Sequence, residues 1–327
     1  MSAPRGRARL RSALTWGAAL AILVLLVQRV EWAGLVQALE RGPYLALAAY
    51  VLFEILVGLP VDAYATRAGL TGAGVHRGFR EILLARGASY ILGVLSYLAG
   101  QGGVGVYLAR KGVRAGAATA AVLFLMVTNG LVLVWLVAAG LLINRPDLGS
   151  PERSRVVLTL VVLALLGTFV YLGLIAARPG FLTRHAALEP LFRAGVRGHL
   201  VASAARLPHM MLLALLHWGA FRVWGNPVPF EPGVTLMPLV LLLAAIPITP
   251  SGLGTTQALQ VFFFSPWSPE ATQAAREASV LAFSLVHQVF SLLGMALVGL
   301  ACLAFLDLAP QDQPAATSGT PTGGTSA

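Results

Sequence analysis

Apolar residues fall into eight long blocks along this chain: Ala13–Val27, Tyr44–Leu59, Ile82–Gly100, Ala115–Ile143, Val156–Ala177, Leu207–Trp224, Val234–Phe264 and Ser279–Leu306. A helix crosses the hydrocarbon core of a bilayer with about 20 predominantly apolar residues. The fourth, fifth and eighth blocks reach that length comfortably. Only 11% of the 327 residues are charged, where a soluble domain carries about 25%. That leaves too little polar surface to clothe a water-soluble globule. The pattern predicts an all-α polytopic membrane protein.

Two blocks are interrupted. The third contains Gly87, Gly93 and Gly100 and runs into Gln101-Gly102-Gly103-Val104-Gly105; the seventh is cut by Pro247, Pro250, Gly252 and Gly254. Charge decides how to treat them. If all eight blocks cross from a cytoplasmic N-terminus, the basic residues split almost evenly between the two sides. If blocks three and seven dip in and return, the cytoplasmic side holds Arg5, Arg7, Arg9, Arg11, Arg67, Arg77, Arg80, Arg86, Arg110, Lys111, Arg114, Arg178, Arg184, Arg193, Arg197 and Arg206, which is 16 of 23. Cytoplasmic loops are enriched in Lys and Arg, so the second arrangement is preferred. It has about six full spans, two re-entrant or broken helices, and both termini in the cytoplasm.

With three crossings per half, the halves at about 12–143 and 156–306 are inverted relative to each other. Inverted repeats with interrupted segments at matching positions are a recurrent transporter plan, with the site at the breaks. Gly103-Val104-Gly105 and Gly252-Leu253-Gly254 lie 149 residues apart, close to the spacing of the halves. The membrane domain is expected to cover 1–310. The remaining residues 311–327, rich in Pro, Thr, Ser and Gly, are expected to form a disordered cytoplasmic tail.

The N-terminal arginines ahead of Ala13–Val27 have the look of a signal peptide, but Gln28-Arg29-Val30-Glu31-Trp32 follows in place of a small-residue cleavage site. The expectation is a retained first span. The net charge of +10 is almost all arginine, with Lys111 the only lysine. Because that charge lies between apolar blocks, orientation and anionic lipid headgroups explain it better than nucleic acid. The single cysteine, Cys302, allows no intrachain disulfide and no thiolate cluster. No nucleophile elbow, phosphate-binding lysine loop or nucleotide fingerprint occurs, so neither hydrolase nor ATP-driven chemistry is expected. No cofactor or metal is implied.

The most informative stretch is Ile246-Pro247-Ile248-Thr249-Pro250-Ser251-Gly252-Leu253-Gly254-Thr255-Thr256-Gln257. Its prolines stop one half-helix, and Ser251 or Thr255 is placed to cap a second. A helix N-terminus held at membrane depth suits an anion such as a lipid phosphate. Ionisable residues at that depth are functional candidates by default. Glu54, in the second span, is expected to pair with Arg86 or to carry protons. Arg86 is expected either to touch substrate or to reach the cytoplasmic surface. Arg110 and Lys111 follow the first break and suit a phosphate. His209, His217 and His287 show no carboxylate partner in the sequence, which argues against a metal site. His287 with Gln288, and Thr128 with Asn129, read as helix-to-helix hydrogen-bonding positions. Trp16, Trp135, Trp218 and Trp224 read as packing or interface residues.

The break at Pro247–Gln257, the roughly 300-residue apolar span and the basic loops resemble the lysylphosphatidylglycerol synthase transmembrane, flippase-like family. The resemblance implies movement of an anionic lipid or lipid-linked group between leaflets. Read from the two breaks and the polar residues at membrane depth, the candidate substrate-binding residues are Glu54, Arg86, Gly103, Gly105, Arg110, Pro250, Ser251, Gly252, Gly254, Gln257 and His287. The family's soluble aminoacyl-transferase domain has no counterpart in this sequence, so its enzymatic activity is not implied. The chain departs from the family pattern in carrying Gln257 at a usually acidic position. It also reads Gln101–Tyr107 where a proline and a basic residue are usual. Those departures leave a second expectation open, a non-transporting membrane partner or regulator of a cell-envelope lipid enzyme. The implied partners are membrane lipids with anionic headgroups, with a second copy or an envelope enzyme as further candidates.

Overall fold

The computed structural model of the chain describes residues 16–308, apart from 18, 27, 29–30, 145–146, 185–187 and 247–248. The basic N-terminal residues, the prospective tail at 311–327 and Pro247 therefore lie outside the described residues, as does part of the first apolar block. Within the described residues the fold is entirely helical. In chain order the helices are α1 (Trp32–Glu40), α2 (Tyr44–Gly72), α3 (Phe79–Gly93), α4 (Tyr97–Arg110), α5 (Ala115–Asn144), α6 (Pro151–Ala177), α7 (Gly180–Thr183), α8 (Glu189–Trp224), α9 (Phe230–Ala244), α10 (Thr255–Phe264) and α11 (Gln273–Ala304).

Five of these, α2, α5, α6, α8 and α11, are long and apolar enough to cross a membrane. They correspond to the second, fourth, fifth, sixth and eighth apolar blocks. Two boundaries differ from the sequence reading. The second block continues past Pro60 to Gly72, because a membrane helix tolerates an internal proline when neighbours satisfy the freed carbonyl. The sixth begins at Glu189, well before Leu207, with a bend at Gly195 (φ +62°). Much of the expected basic loop is therefore helix, and Arg193, Arg197 and Arg206 sit on α8.

The two interrupted blocks form helical hairpins. The first joins α3 and α4, of 15 and 14 residues, each only about 21–23 Å long. The break lies at Val94-Leu95-Ser96, not at Gln101–Gly105 as the glycines suggested. Ser96 accepts a hydrogen bond from the Ala99 amide at 3.1 Å and so starts α4 as an N-cap. Gly103 and Gly105 are consequently inside a helix. A methyl on Gly103 would lie 3.0 Å from the Ser89 side chain, and one on Gly105 would lie 3.2 Å from Val122. Their small size lets α4 approach α3 and α5. The second hairpin joins α9 and α10, of 15 and 10 residues.

Each hairpin has its own apolar core. Ile82, Val104 and Leu108 of the first pack with Leu70 of α2 and Leu125 of α5. Phe263 and Phe264 of the second belong to a cluster that includes Phe221 of α8 and Phe283 of α11, with the Phe221 ring centroid 4.8 Å from Phe264 and 4.2 Å from Phe283. The outer face of α6 tells the complementary story: Val162, Leu163, Phe169 and Val170 are 52–68% exposed. Such a face is unremarkable against lipid, which is as apolar as leucine.

Candidate functional site

Position 62, two residues after the proline at which the second block stopped in the sequence reading, carries a charge that several side chains engage. Asp62 on α2 is buried, 1% exposed. Arg86 of α3 donates from Nε to Asp62 Oδ2 at 2.6 Å. Arg206 of α8 donates from Nη1 to Asp62 Oδ1 and from Nη2 to Thr66 Oγ1 at 3.1 Å. Thr66, one turn along α2, donates to the same Oδ1 at 3.3 Å. His209, one turn after Arg206, accepts from Arg206 Nη1 at Nδ1, 3.3 Å away. Arg206 Nε is buried and makes no hydrogen bond.

Two guanidiniums against one carboxylate leave one net positive charge in an apolar setting. Burying charges is costly unless they are paired and hydrogen-bonded, and the Thr66 and Ser89 hydroxyls extend that pairing: Arg86 Nη1 donates to Ser89 Oγ at 3.4 Å. Arg86 also stands 5.8 Å from the centroid of the Tyr90 ring, a cation–π distance. Arg86 therefore neither reaches for the surface nor meets Glu54. It faces Asp62 because α3 packs beside the C-terminal half of α2, whereas Glu54 lies eight residues earlier, about 12 Å along the axis.

Glu54 meets histidines instead. His287 Nε2 of α11 lies 3.1 Å from Glu54 Oε2, and His217 Nδ1 of α8 lies 3.7 Å from Oε1. This overturns the expectation that the span histidines lack a carboxylate partner. The partner is supplied across helices, where sequence spacing is silent. The helix-to-helix role expected of His287 is present, as is that of Asn129, whose Nδ2 donates to the Tyr97 hydroxyl at 3.1 Å.

The second break is a left-handed turn. Ser251 (φ +50°), Gly252 (φ +72°) and Gly254 (φ +85°) reverse the chain between α9 and α10. Pro250 opens the Pro250–Gly252 turn. For a non-glycine residue such a φ costs roughly 1–2 kcal/mol, and the Ser251 hydroxyl donates to the Val94 carbonyl. Val94 is the tip of the first hairpin, so the two tips touch. Neither Ser251 nor Thr255 caps α10. Gly254 is the N-cap residue, and Gln257 turns back so that its Oε1 accepts from the Gly254 amide at 2.6 Å. Gln257 Nε2 lies 3.5 Å from the Ser284 carbonyl of α11. A methyl on Gly254 would lie 2.9 Å from the Ala19 carbonyl. The α10 N-terminus is thus occupied by Gln257, with the Ala19 carbonyl and the Ile22 side chain lying against Gly254.

Arg110 and Lys111 follow α4 rather than the break. Arg110 is exposed, and Lys111 Nζ pairs with Asp307 Oδ2 at 2.8 Å. Near them an open cavity of about 650 Å³ is lined by His76, Arg77, Arg114, Glu189 and Arg193 among others. Of the expected site residues, then, the structure brings Glu54 together with His287, engages Arg86 with Asp62, and sets Ser251, Gly252, Gly254 and Gln257 at one tip. It disperses Gly103, Gly105 and Arg110. Asp62 and Arg206 were missed. The available signal was a carboxylate two turns beyond Glu54 in the same apolar helix.

Spanning helices, two short hairpins meeting at their tips and a charge cluster buried between helices define a polytopic membrane protein with an internal polar centre. The chain belongs to the lysylphosphatidylglycerol synthase TM region family, whose family model matches residues 10–299. No curated protein and no solved structure matches it.

Proposed function

We propose that this chain moves an anionic, phosphate-bearing lipid between the leaflets of the cell membrane. The reading rests above all on Arg86 and Arg206, carried by different helices and converging on one buried carboxylate. Guanidiniums bind phosphate through paired N–H donors. Asp62 would hold them in position while the site is empty, and a lipid phosphodiester would take its place. Arg77, Arg114 and Arg193 at the open cavity would gather anionic headgroups at the cytoplasmic face. The six-span topology with two re-entrant hairpins and inverted halves is part of the proposal, supported by the short hairpins, their touching tips and the distribution of basic residues.

The closed tip of the second hairpin favours one rival. With Gln257 neutral and α10's amide end occupied, a non-transporting partner of an envelope-lipid enzyme would need no open site there. Proteoliposomes containing fluorescently labelled phosphatidylglycerol separate the two. Wild type should expose label to an external quencher faster than empty vesicles do. Arg206→Gln should slow that exposure about 10- to 100-fold, the loss expected when one charged hydrogen-bonding group is removed. Arg206→Lys should rescue only in part, because the ammonium lacks the fork. No movement by wild type would leave the partner reading standing.

Topology is checked in a Cys302→Ser background. Cysteines introduced at the exposed Arg110 and Arg197 should resist an impermeant thiol reagent in intact cells. One at the exposed Glu152 should react. Labelling at Arg110 from outside would overturn the first re-entrant hairpin.

A further inference from the structure

Glu54 is a second buried carboxylate, one that the anion seat does not use. It is 7% exposed and its Oε1 makes no hydrogen bond. Its surroundings differ in kind from those of Asp62. Asp62 is held by two arginines, whose positive charge is permanent. The partners of Glu54 are two imidazoles, the side chains whose charge changes most readily near neutral pH. Among the described residues, the polar groups around the carboxylate come from three helices. From α8 comes His217 at 3.7 Å. From α11 come His287 at 3.1 Å and, behind it, Ser291 Oγ, 3.5 Å from His287 Nδ1. From α2 itself comes Tyr50, whose hydroxyl donates to the Leu216 carbonyl at 3.1 Å. The two imidazoles stand 5.0 Å apart between ring centroids. The nearest fixed charges described along α2 are those of the Asp62 cluster, about 12 Å away.

The hydrogen-bond geometry assigns one proton. His217 Nδ1 lies 3.1 Å from the Leu213 carbonyl, which only accepts, so Nδ1 carries hydrogen and His217 Nε2 is left to take up another. His287 Nε2 faces a carboxylate oxygen and donates to it when that carboxylate is ionised. The trio therefore holds adjacent proton acceptors, with no arginine or lysine paired to Glu54 among the described residues, at the junction of α2, α8 and α11. Two of those helices, α2 and α8, also carry Asp62 and Arg206. A change of charge at Glu54 thus bears on the same pair of helices that forms the anion seat.

We infer that Glu54, His217 and His287 form a proton-binding site whose loading and unloading across the membrane is linked to lipid movement. The coupling rests on the lipid-transport reading above; the proton site stands independently. In the step itself an O–H or N–H bond forms with a proton from one aqueous side and breaks to release it on the other. Nothing is oxidised or reduced.

Two measurements test this. In proteoliposomes, labelled phosphatidylglycerol is allowed to reach a steady leaflet distribution with and without an imposed gradient of one pH unit. With one proton per lipid, the gradient should shift the wild-type distribution by up to about tenfold, and a protonophore should abolish the shift. Glu54→Gln should show no shift, and Glu54→Asp should restore part of it. A wild-type distribution indifferent to the gradient, or a Glu54→Gln response equal to wild type, overturns the coupling while leaving lipid transport intact. The second measurement needs no lipid movement. Infrared difference spectra of the purified protein between neutral and acidic pH should contain a protonated-carboxyl band that Glu54→Gln removes and that His287→Gln displaces. If wild type moves no lipid, this band decides: its presence and its loss in Glu54→Gln support the proton site, and its absence overturns it.

Discussion

Asp62→Ala is expected to lower the stability of the folded protein by about 3–5 kcal/mol, the cost of removing one partner from a buried ion pair. The loss should be read as a fall in Tm and in monodisperse yield from detergent. The physical reason is that Arg86 and Arg206 would remain buried, 11% and 3% exposed in their side chains, without a counter-charge. The same reasoning predicts which second change helps. Combining Asp62→Leu with Arg86→Met and Arg206→Met removes the carboxylate and both guanidiniums together and should recover much of the stability, since apolar replacement of a buried ion cluster is often neutral or better. It should not recover lipid movement. A triple variant no more stable than Asp62→Ala would mean that the cluster does not act as one electrostatic unit.

The second large effect is expected at the contact between α3 and α11. Gly87, the residue after Arg86, lies directly against Cys302. A methyl group on Gly87 would overlap the cysteine sulfur, lie 2.9 Å from its Cβ, and come within 3.3 Å of Leu59. Gly87→Val should therefore destabilise by about 1–3 kcal/mol or more, the usual cost of overpacking, and should pull Arg86 off Asp62 because the two residues share a turn. Cys302→Gly clears the space. The pair Gly87→Ala with Cys302→Gly should fold better than Gly87→Ala alone, measured as a positive coupling in a double-mutant cycle of thermal stability. Equal stabilities would place the contact elsewhere.

These two effects differ in how far the sequence announces them. The apolar blocks at 115–143 and 156–177 are long enough that only a helix can satisfy their backbone in lipid, and the structure has α5 and α6 there. The third and seventh blocks announced an interruption through glycine and proline, and hairpins formed. The position of the first break was not legible. Val94-Leu95-Ser96 contains neither glycine nor proline, and nothing in the sequence sets Ser96, which caps α4, apart from another serine in the run such as Ser89. Gly103 and Gly105, which looked like a break, serve close packing because α3 and Val122 of α5 happen to lie opposite them.

Length and hydropathy thus settle that the chain is helical and that it lies in a membrane. These properties are local: each follows from what lipid and water do to a short stretch of backbone. Which charge meets which is a property of three dimensions. Glu54 and Asp62 sit on one helix, two turns and about 80° apart, and the sequence alone does not show which partners each one meets. Packing gives Asp62 to Arg86 and Arg206, 24 and 144 residues away, and Glu54 to His217 and His287, 163 and 233 residues away. Only the crossing of α2 with α3, α8 and α11 decides that one carboxylate has guanidiniums for partners and the other has imidazoles.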